Sequence, residues 1–194
     1  ASAPTAVSML HAGVLMKLGG YGCFRIAMYL MPAGAAIWGD FFLILTTISV
    51  VYGAFSAVVQ TDLKYINAYS SVSHCGLVLF ALLMMTRVSA TGAILQMLSH
   101  GLMTALFFAL IGMIYGRTHT RDIRQLSGLM KIMPFLAVGY VIAGLANLGL
   151  PGLSGFVAEM TVFVGSFQHP DAFHRACTII ATMSIVITAV YILR

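Results

Sequence analysis

Long apolar runs separated by short polar interruptions set the pattern of this chain: Thr5 to Met31, Gly39 to Gln60, Asp62 to Met85, Thr91 to Tyr115, Ile132 to Phe167 and Ala172 to Leu193. A helix needs about 20 apolar residues to cross a hydrocarbon core. Each run meets that length, so the pattern predicts an all-α integral membrane protein with six transmembrane spans. The fifth run is too long for one straight crossing, and Gly149, Pro151, Gly152 and Gly155 interrupt it near its middle. Two half-helices are the expectation. Unwound backbone at membrane depth is tolerated only where protein buries it or water reaches it, and transporters place ion sites at such breaks. A proline kink that merely lets helices pack closely is the alternative reading.

The polar positions inside these runs are few, and they share a chemistry. Glu159 is the one carboxylate well inside an apolar run, one helical turn after Gly155. An ionisable group at that depth is costly unless it is paired, neutralised or hydrated, which makes it a functional-site candidate by default. Lys17 lies mid-span in the first run among Gly13, Gly19, Gly20 and Gly22, where backbone or water can approach its ammonium. His74 and His100 lie within the third and fourth runs. Gln96, His100 and Thr104 are spaced four apart and share one helix face, and Ser70 lies one turn before His74, with Ser71 and Ser73 adjoining. One acid, one amine and two imidazoles in an oily matrix point to proton movement. The bland alternative makes each histidine a structural one, bonded across to a neighbouring helix for about 1 kcal/mol. Arg25, near the end of its span, suits snorkelling to the interface, and His11 falls on a different face from Lys17.

Composition removes the soluble classes. Sixty per cent of residues are hydrophobic and 8% are charged, against about a quarter charged in soluble domains. The net charge of +5 follows topology and does not signal a nucleic-acid partner: Arg117-Thr-His-Thr-Arg-Asp-Ile-Arg124, closed by Lys131, holds four of the ten Lys and Arg residues. The positive-inside rule puts that loop in the cytoplasm or its equivalent. Counting crossings puts Thr61 to Lys64 and the start of the chain on the same side, with the loops at Pro32-Ala-Gly, Arg87 and His169-Pro-Asp on the other. Asp62 and Lys64 read as a solvated interfacial pair, with proton uptake from the cytoplasm as their functional alternative. Trp38, Phe41, Phe42, Tyr65 and Tyr69 fall near span ends, where aromatic side chains anchor to the interface.

Cys23, Cys75 and Cys177 sit on separate spans without a CxxC or Cys/His pattern, so they read as packing residues and no metal ligands are assigned. A dinucleotide GxGxxG, a Walker A run and iron–sulfur spacing are all missing, so the driving energy must come from a partner or an ion gradient. The first run carries a lysine and an arginine and continues into a full span, unlike a signal peptide. Ala1-Ser-Ala-Pro-Thr5 leads into a helix almost at once, and the chain stops at Arg194 against its last apolar residue; a fragment of a longer subunit is the expectation.

Four motifs carry a family resemblance: Ala3-Pro-Thr-Ala-Val-Ser with Leu15-Met-Lys-Leu-Gly-Gly-Tyr-Gly, Gln60-Thr-Asp-Leu-Lys-Tyr-Ile-Asn-Ala-Tyr-Ser-Ser-Val-Ser-His74, Gln96-Met-Leu-Ser-His-Gly-Leu, and Gly149-Leu-Pro-Gly-Leu-Ser-Gly-Phe-Val-Ala-Glu159. Together they resemble the antiporter-like subunits of respiratory complex I over essentially the whole chain. Tyr115-Gly-Arg-Thr-His-Thr-Arg-Asp122 and the Glu159 motif narrow the resemblance to the M-type subunit, the homologue of mitochondrial chain 4, because the L and N types carry a lysine where Glu159 stands.

The resemblance implies a fold of fourteen helices with two inverted five-helix repeats, of which this chain would be helices eight to thirteen. Residues 39–193 would form the second repeat, and residues 1–38 the helix before it. Lys17 would be the central connecting lysine, His74 and His100 the relay histidines, and Glu159 the terminal acid. Flavin, iron–sulfur clusters, NADH and quinone would belong to partner subunits, with none bound by this chain. The neighbours would be the L-type and N-type subunits and the lipid of a bacterial plasma membrane or an equivalent energy-coupling membrane. A multi-subunit cation/proton antiporter, a membrane-bound hydrogenase and a non-pumping structural bundle are the competing readings.

Overall fold

The computed structural model describes residues 3–194, so Ala1 and Ser2 lie outside the described residues and the first motif, from Ala3, lies within them. The described chain is helical almost throughout. Its helices are α1 (Thr5–Leu10), α2 (Met16–Gly22), α3 (Pro32–Val59), α4 (Leu63–Leu83), α5 (Arg87–Thr118), α6 (Leu129–Ile132), α7 (Pro134–Asn147), α8 (Ser154–Phe167) and α9 (Ala172–Leu193). Among them α3, α4, α5 and α9 are long and apolar enough to cross a membrane, while α7 and α8, at 14 residues each, are not. Large apolar side chains such as Ile37, Leu98 and Leu102 point outward from these helices. A water-facing surface would not tolerate that density; a lipid-facing one requires it.

The first apolar run keeps a helical course from Thr5 to Met28 but changes its winding twice. Two π-helical segments, His11–Leu15 and Cys23–Met28, flank α2. Two boundaries differ from expectation. The Pro32-Ala-Gly stretch is the first turn of α3 and not a loop, because proline at the first helical position gives up an N–H that has no partner there. α5 extends past Thr91 back to Arg87, because Thr86 caps it by accepting from the Ser89 amide at 3.2 Å.

Small residues set the helix spacing. A Cβ on Gly92 would lie 2.6 Å from the Val162 amide nitrogen, so α5 and α8 touch backbone to backbone. Such close approach is how helices gain contact in a solvent as apolar as their own side chains. α3 packs along α4 and α9, and α5 lies between α4 and α8.

The loops before α4 and after α5 are stitched together. The Leu63 amide donates to Arg121 O and the Ile123 amide to Thr61 O, both at 3.0 Å, so both loops share one face, as the crossing count requires. Arg194, at the end of α9, donates to the carbonyls of Val58 and Gln60 on that same face.

Two apolar clusters fill the interior. One gathers Leu43, Val50, Phe80, Met97 and Val162; the other gathers Leu63, Met103, Phe107, Ile111 and Leu136. Between them along α4, α5 and the α7–α8 pair runs a belt of buried polar residues: His74, Gln96, His100, Asn147 and Glu159. The belt therefore sits in mid-bundle between the two apolar clusters.

Candidate functional site

The break that carries Glu159 is built by glycine conformation. α7 stops at Asn147, and Gly149 takes φ +67° while Gly152 takes φ +98°, a region side-chain-bearing residues rarely visit. The chain then re-enters helix at Ser154. A Cβ on Gly149 would also lie 2.6 Å from Oε2 of Glu159, so the missing side chain is the space the carboxyl group occupies. Gly155 serves clearance: a Cβ there would meet the Ala146 carbonyl at 2.5 Å. Pro151 is exposed in the linker between the half-helices.

His74 links the break to α5. Its Nε2 lies 2.7 Å from Oδ1 of Asn147, and its Nδ1 lies 3.1 Å from Nε2 of Gln96. An amide oxygen only accepts and an amide nitrogen only donates, so this network assigns the ring a proton on Nε2 and a lone pair on Nδ1. That lone pair faces Oε1 of Glu159 at 3.5 Å. A lone pair opposite an ionised carboxylate is repulsive; one proton placed between them, on either group, removes the repulsion. One proton between the two groups would make this contact favourable. Glu159 and His74 are 8% and 6% exposed, which leaves little water to screen the choice.

The second histidine completes a line. The His100 ring lies with its centroid 4.9 Å from that of His74, and its Nε2 lies 3.0 Å from the Thr104 hydroxyl. Nδ1 of His100 is buried and has no hydrogen-bond partner among the described residues. Behind Asn147, the Ser70 hydroxyl lies 2.8 Å from that of Tyr191, and the Asn147 amide donates to Ser70 at 3.1 Å. A cavity of about 480 Å³, walled mostly by apolar side chains such as Leu63, Phe107 and Ile111 but taking in Asn67, Ser70, Asn147, Tyr191 and Arg194, leads from this corner toward the face that carries the stitched loops. Asn147 and Tyr191 were not singled out by sequence. The signal for Asn147 was present, an amide at the last position of an apolar helix, but a tyrosine near a span end reads as an interface anchor.

Lys17 takes a different position. It is half-buried, and its ammonium donates to the carbonyl of Ala12 within the first π-helical segment. It lies within electrostatic range of Cys75, His74 and His100.

Asp62 and Lys64 do not form the solvated pair that the sequence suggested. Asp62 caps α4 by accepting from the Lys64 amide at 2.7 Å and pairs with Arg121 at 3.5 Å. Lys64 itself is 4% exposed, and its ammonium donates to the carbonyl of Ala3. The bridge between the two loops supplies Arg121 and closes over the lysine, which no local pattern could show.

Residues 1–190 match the family described as NADH:quinone oxidoreductase/Mrp antiporter, TM. The chain belongs to this family. It is an integral, multi-pass membrane protein with the antiporter-like helical fold. Among curated relatives it is 43% identical over 194 residues to NAD(P)H-quinone oxidoreductase chain 4 3 of Picosynechococcus sp., covering 98% of this chain and 35% of that one. It is 41% identical over 196 residues to chain 4-2 of the same enzyme in Synechocystis sp., with 100% and 35% covered. The chain thus spans about a third of the length of the curated relatives it matches. Among solved structures, a chain of respiratory complex I from Thermus thermophilus superposes with a TM-score of 0.90 at 32% identity, covering 98% of this chain and 40% of that one. A chain of the Mrp complex from Dietzia sp. superposes at 0.90 with 25% identity, covering 97% and 35%.

Proposed function

We propose that this chain is part of an M-type, chain 4 antiporter-like subunit of NADH–quinone oxidoreductase and takes part in proton translocation coupled to quinone reduction. The finer architecture proposed with it is six crossings with the fifth discontinuous, residues 39–193 forming the second five-helix repeat. The observation that carries this reading is the contact between Glu159, on the second half of the broken helix, and His74 of α4, in a buried polar belt where one proton can be shared between them. The names of the relatives, which are chain 4 subunits at 41–43% identity, support the choice of enzyme.

The working sequence follows from electrostatics. A change of charge at Lys17 alters the cost of a proton on His100 and His74, whose rings lie close enough to repel one another when both are charged. Nδ1 of His74 then takes a proton from Glu159 across 3.5 Å, giving up the Gln96 contact, or, when the ring is doubly protonated, returns that Nδ1 proton to the carboxylate. The cavity behind Asn147 gives the belt access to one face, and Ser70 and Tyr191 offer hydroxyls along the way. Asp62 and Lys64 stand at that face as a point of proton uptake. Flavin, iron–sulfur clusters, NADH and quinone are assigned to partner subunits, and the L-type and N-type subunits are the proposed membrane neighbours. A subunit of a cation/proton antiporter is the second reading, favoured by the superposition on the Mrp complex.

The test is Glu159→Gln in the parent complex reconstituted in sealed vesicles. NADH–quinone electron flow with the proton-to-electron ratio clearly reduced, in a complex of normal subunit content, is the expected result. An unchanged ratio and rate would remove Glu159 from the pathway. A parent complex without redox centres would select the antiporter reading.

A further inference from the structure

We propose that His169, Asp171 and His174, backed by Asp40, form a binding site for zinc or another imidazole-preferring divalent transition metal on the membrane face opposite the stitched loops. The loop between α8 and α9 emerges on that face, since α9 ends at Arg194 beside Val58 and Gln60 on the other. This proposal stands independently of the proton-relay reading.

The ligand geometry is close to assembled. Nδ1 of His169 and Nδ1 of His174 each lie 3.7 Å from Oδ2 of Asp171. One donor atom from each of the three residues falls within 4.8 Å of the others. Zinc bonds to nitrogen and oxygen at about 2.0–2.2 Å, so tetrahedral ligands stand about 3.4 Å apart. The donors therefore need to close by about 0.3 Å to about 1.4 Å, a movement that falls to His169 and Asp171 in the loop, since His174 is buried on α9. The two imidazole rings are stacked, with centroids 3.7 Å apart and planes 18° from parallel; because the Nδ1 lone pairs lie in the ring planes, the half-buried His169 ring must turn out of the stack for both to reach one ion.

The second observation is an unpaired atom. His174 is 8% exposed, and its Nδ1 is buried without a hydrogen-bond partner while pointing at the Asp171 carboxylate. Buried polar atoms are nearly always satisfied, so an orphan beside two further donors calls for an explanation, and an ion supplies one. The other edge of the ring is already oriented: Nε2 of His174 faces Oδ1 of Asp40 on α3 at 3.5 Å. A carboxylate behind a metal-binding imidazole fixes its tautomer and raises its basicity. The loop is also pinned, because Nε of Arg175 donates to the carbonyl of His169 at 2.9 Å. One contact competes: the Asp171 amide donates to Nδ1 of His169 at 3.3 Å, a long bond that ligation would replace. Two imidazoles in the donor set select zinc-like ions over magnesium or calcium, which take oxygen. The fourth position is left to water.

The test uses Zn²⁺ on the intact parent complex, with the rate of histidine modification by diethylpyrocarbonate read by peptide mass spectrometry. Zinc is expected to slow modification of His169 and His174 at least several-fold, magnesium to leave both unchanged, and His119 on the other face to be indifferent to both ions. If His174 is too buried to react even without zinc, half-buried His169 carries the readout. His169→Ala and Asp171→Asn, both in the loop, are expected to abolish one bound zinc per complex with subunit content unchanged, and Asp40→Asn to weaken zinc binding about 10- to 100-fold. Equal modification with and without zinc, protection by magnesium as strong as by zinc, or a zinc count that the loop variants leave unaltered would each overturn the site.

Discussion

Two stretches of this bundle depart from regular α-helix, and they do so in opposite ways. Between Thr5 and Met28 the chain stays helical and absorbs its irregularity as two π-helical segments, so the backbone remains bonded and only the phase of the side chains shifts. Between Asn147 and Ser154 the helix stops altogether, and two glycines at positive φ carry the chain across the gap. The first irregularity holds a charge at half depth: Lys17 folds onto the Ala12 carbonyl. The second ends in groups that exchange hydrogen bonds with other helices, Asn147 with His74 and Glu159 facing the same ring. A π segment positions a charge; a full break builds a site.

The largest effect expected from this contrast comes from Gly149→Ala. An L side chain at φ +67° costs about 1–2 kcal/mol in backbone strain, and its Cβ would occupy the place of Glu159 Oε2. The carboxyl group must turn away from His74 or the break must reshape. Proton translocation, read by quenching of a pH-sensitive dye in vesicles, should fall by up to about a hundredfold, the scale on which misplacing a reacting group by an ångström acts. Subunit content should hold. Normal pumping in Gly149→Ala would mean that the carboxyl position at the break is not what the pair depends on.

Lys17→Met tests the other half of the comparison and should do less. It removes a charge that acts over distance, without disturbing a hydrogen bond between helices, and the methionine fills a similar volume. Because one pKa unit corresponds to about 1.4 kcal/mol, loss of a neighbouring charge should slow coupled pumping several-fold while the complex assembles normally. Loss of assembly with residual activity unchanged per complex would instead mark Lys17 as a packing element, the scaffold reading of this chain.

How far the sequence foretold these sites depends on how local each feature is. The break was legible because glycine and proline act on their own backbone, and Glu159 was legible because a carboxylate in an apolar run has a cost wherever the helices pack. Gln96, His100 and Thr104 could be placed on one face by spacing alone. The π segments were not legible, since no residue in them marks a change of winding, and the helices they pack against, α5 for the first and α3 and α4 for the second, come from later in the chain. The partner of His74 was equally hidden, because Asn147 reaches it from a distant part of the chain. Lys64 read as exposed until the loop carrying Arg121 was laid over it. The histidines near Asp171 had no motif to announce them, for Asp40 comes from a separate helix.

The smallest effect should come from the residue that a sequence reader would blame first. Pro151 looks like the cause of the break, yet it is exposed in the linker, and the turns on either side of it are made by Gly149 and Gly152. Its own contribution is a fixed φ and a missing N–H, which act mostly by limiting the unfolded chain. Pro151→Ala should therefore lower stability by about 0.4–1 kcal/mol and leave pumping within error of the parent complex. A thermal-shift measurement paired with the dye-quench assay separates the two readouts. If Pro151→Ala abolished pumping as Gly149→Ala is expected to, then helix would propagate through the linker once proline is gone. The break would then be a proline kink that the glycines merely accommodate, and the contrast between a positioned charge and a built site would lose its second term.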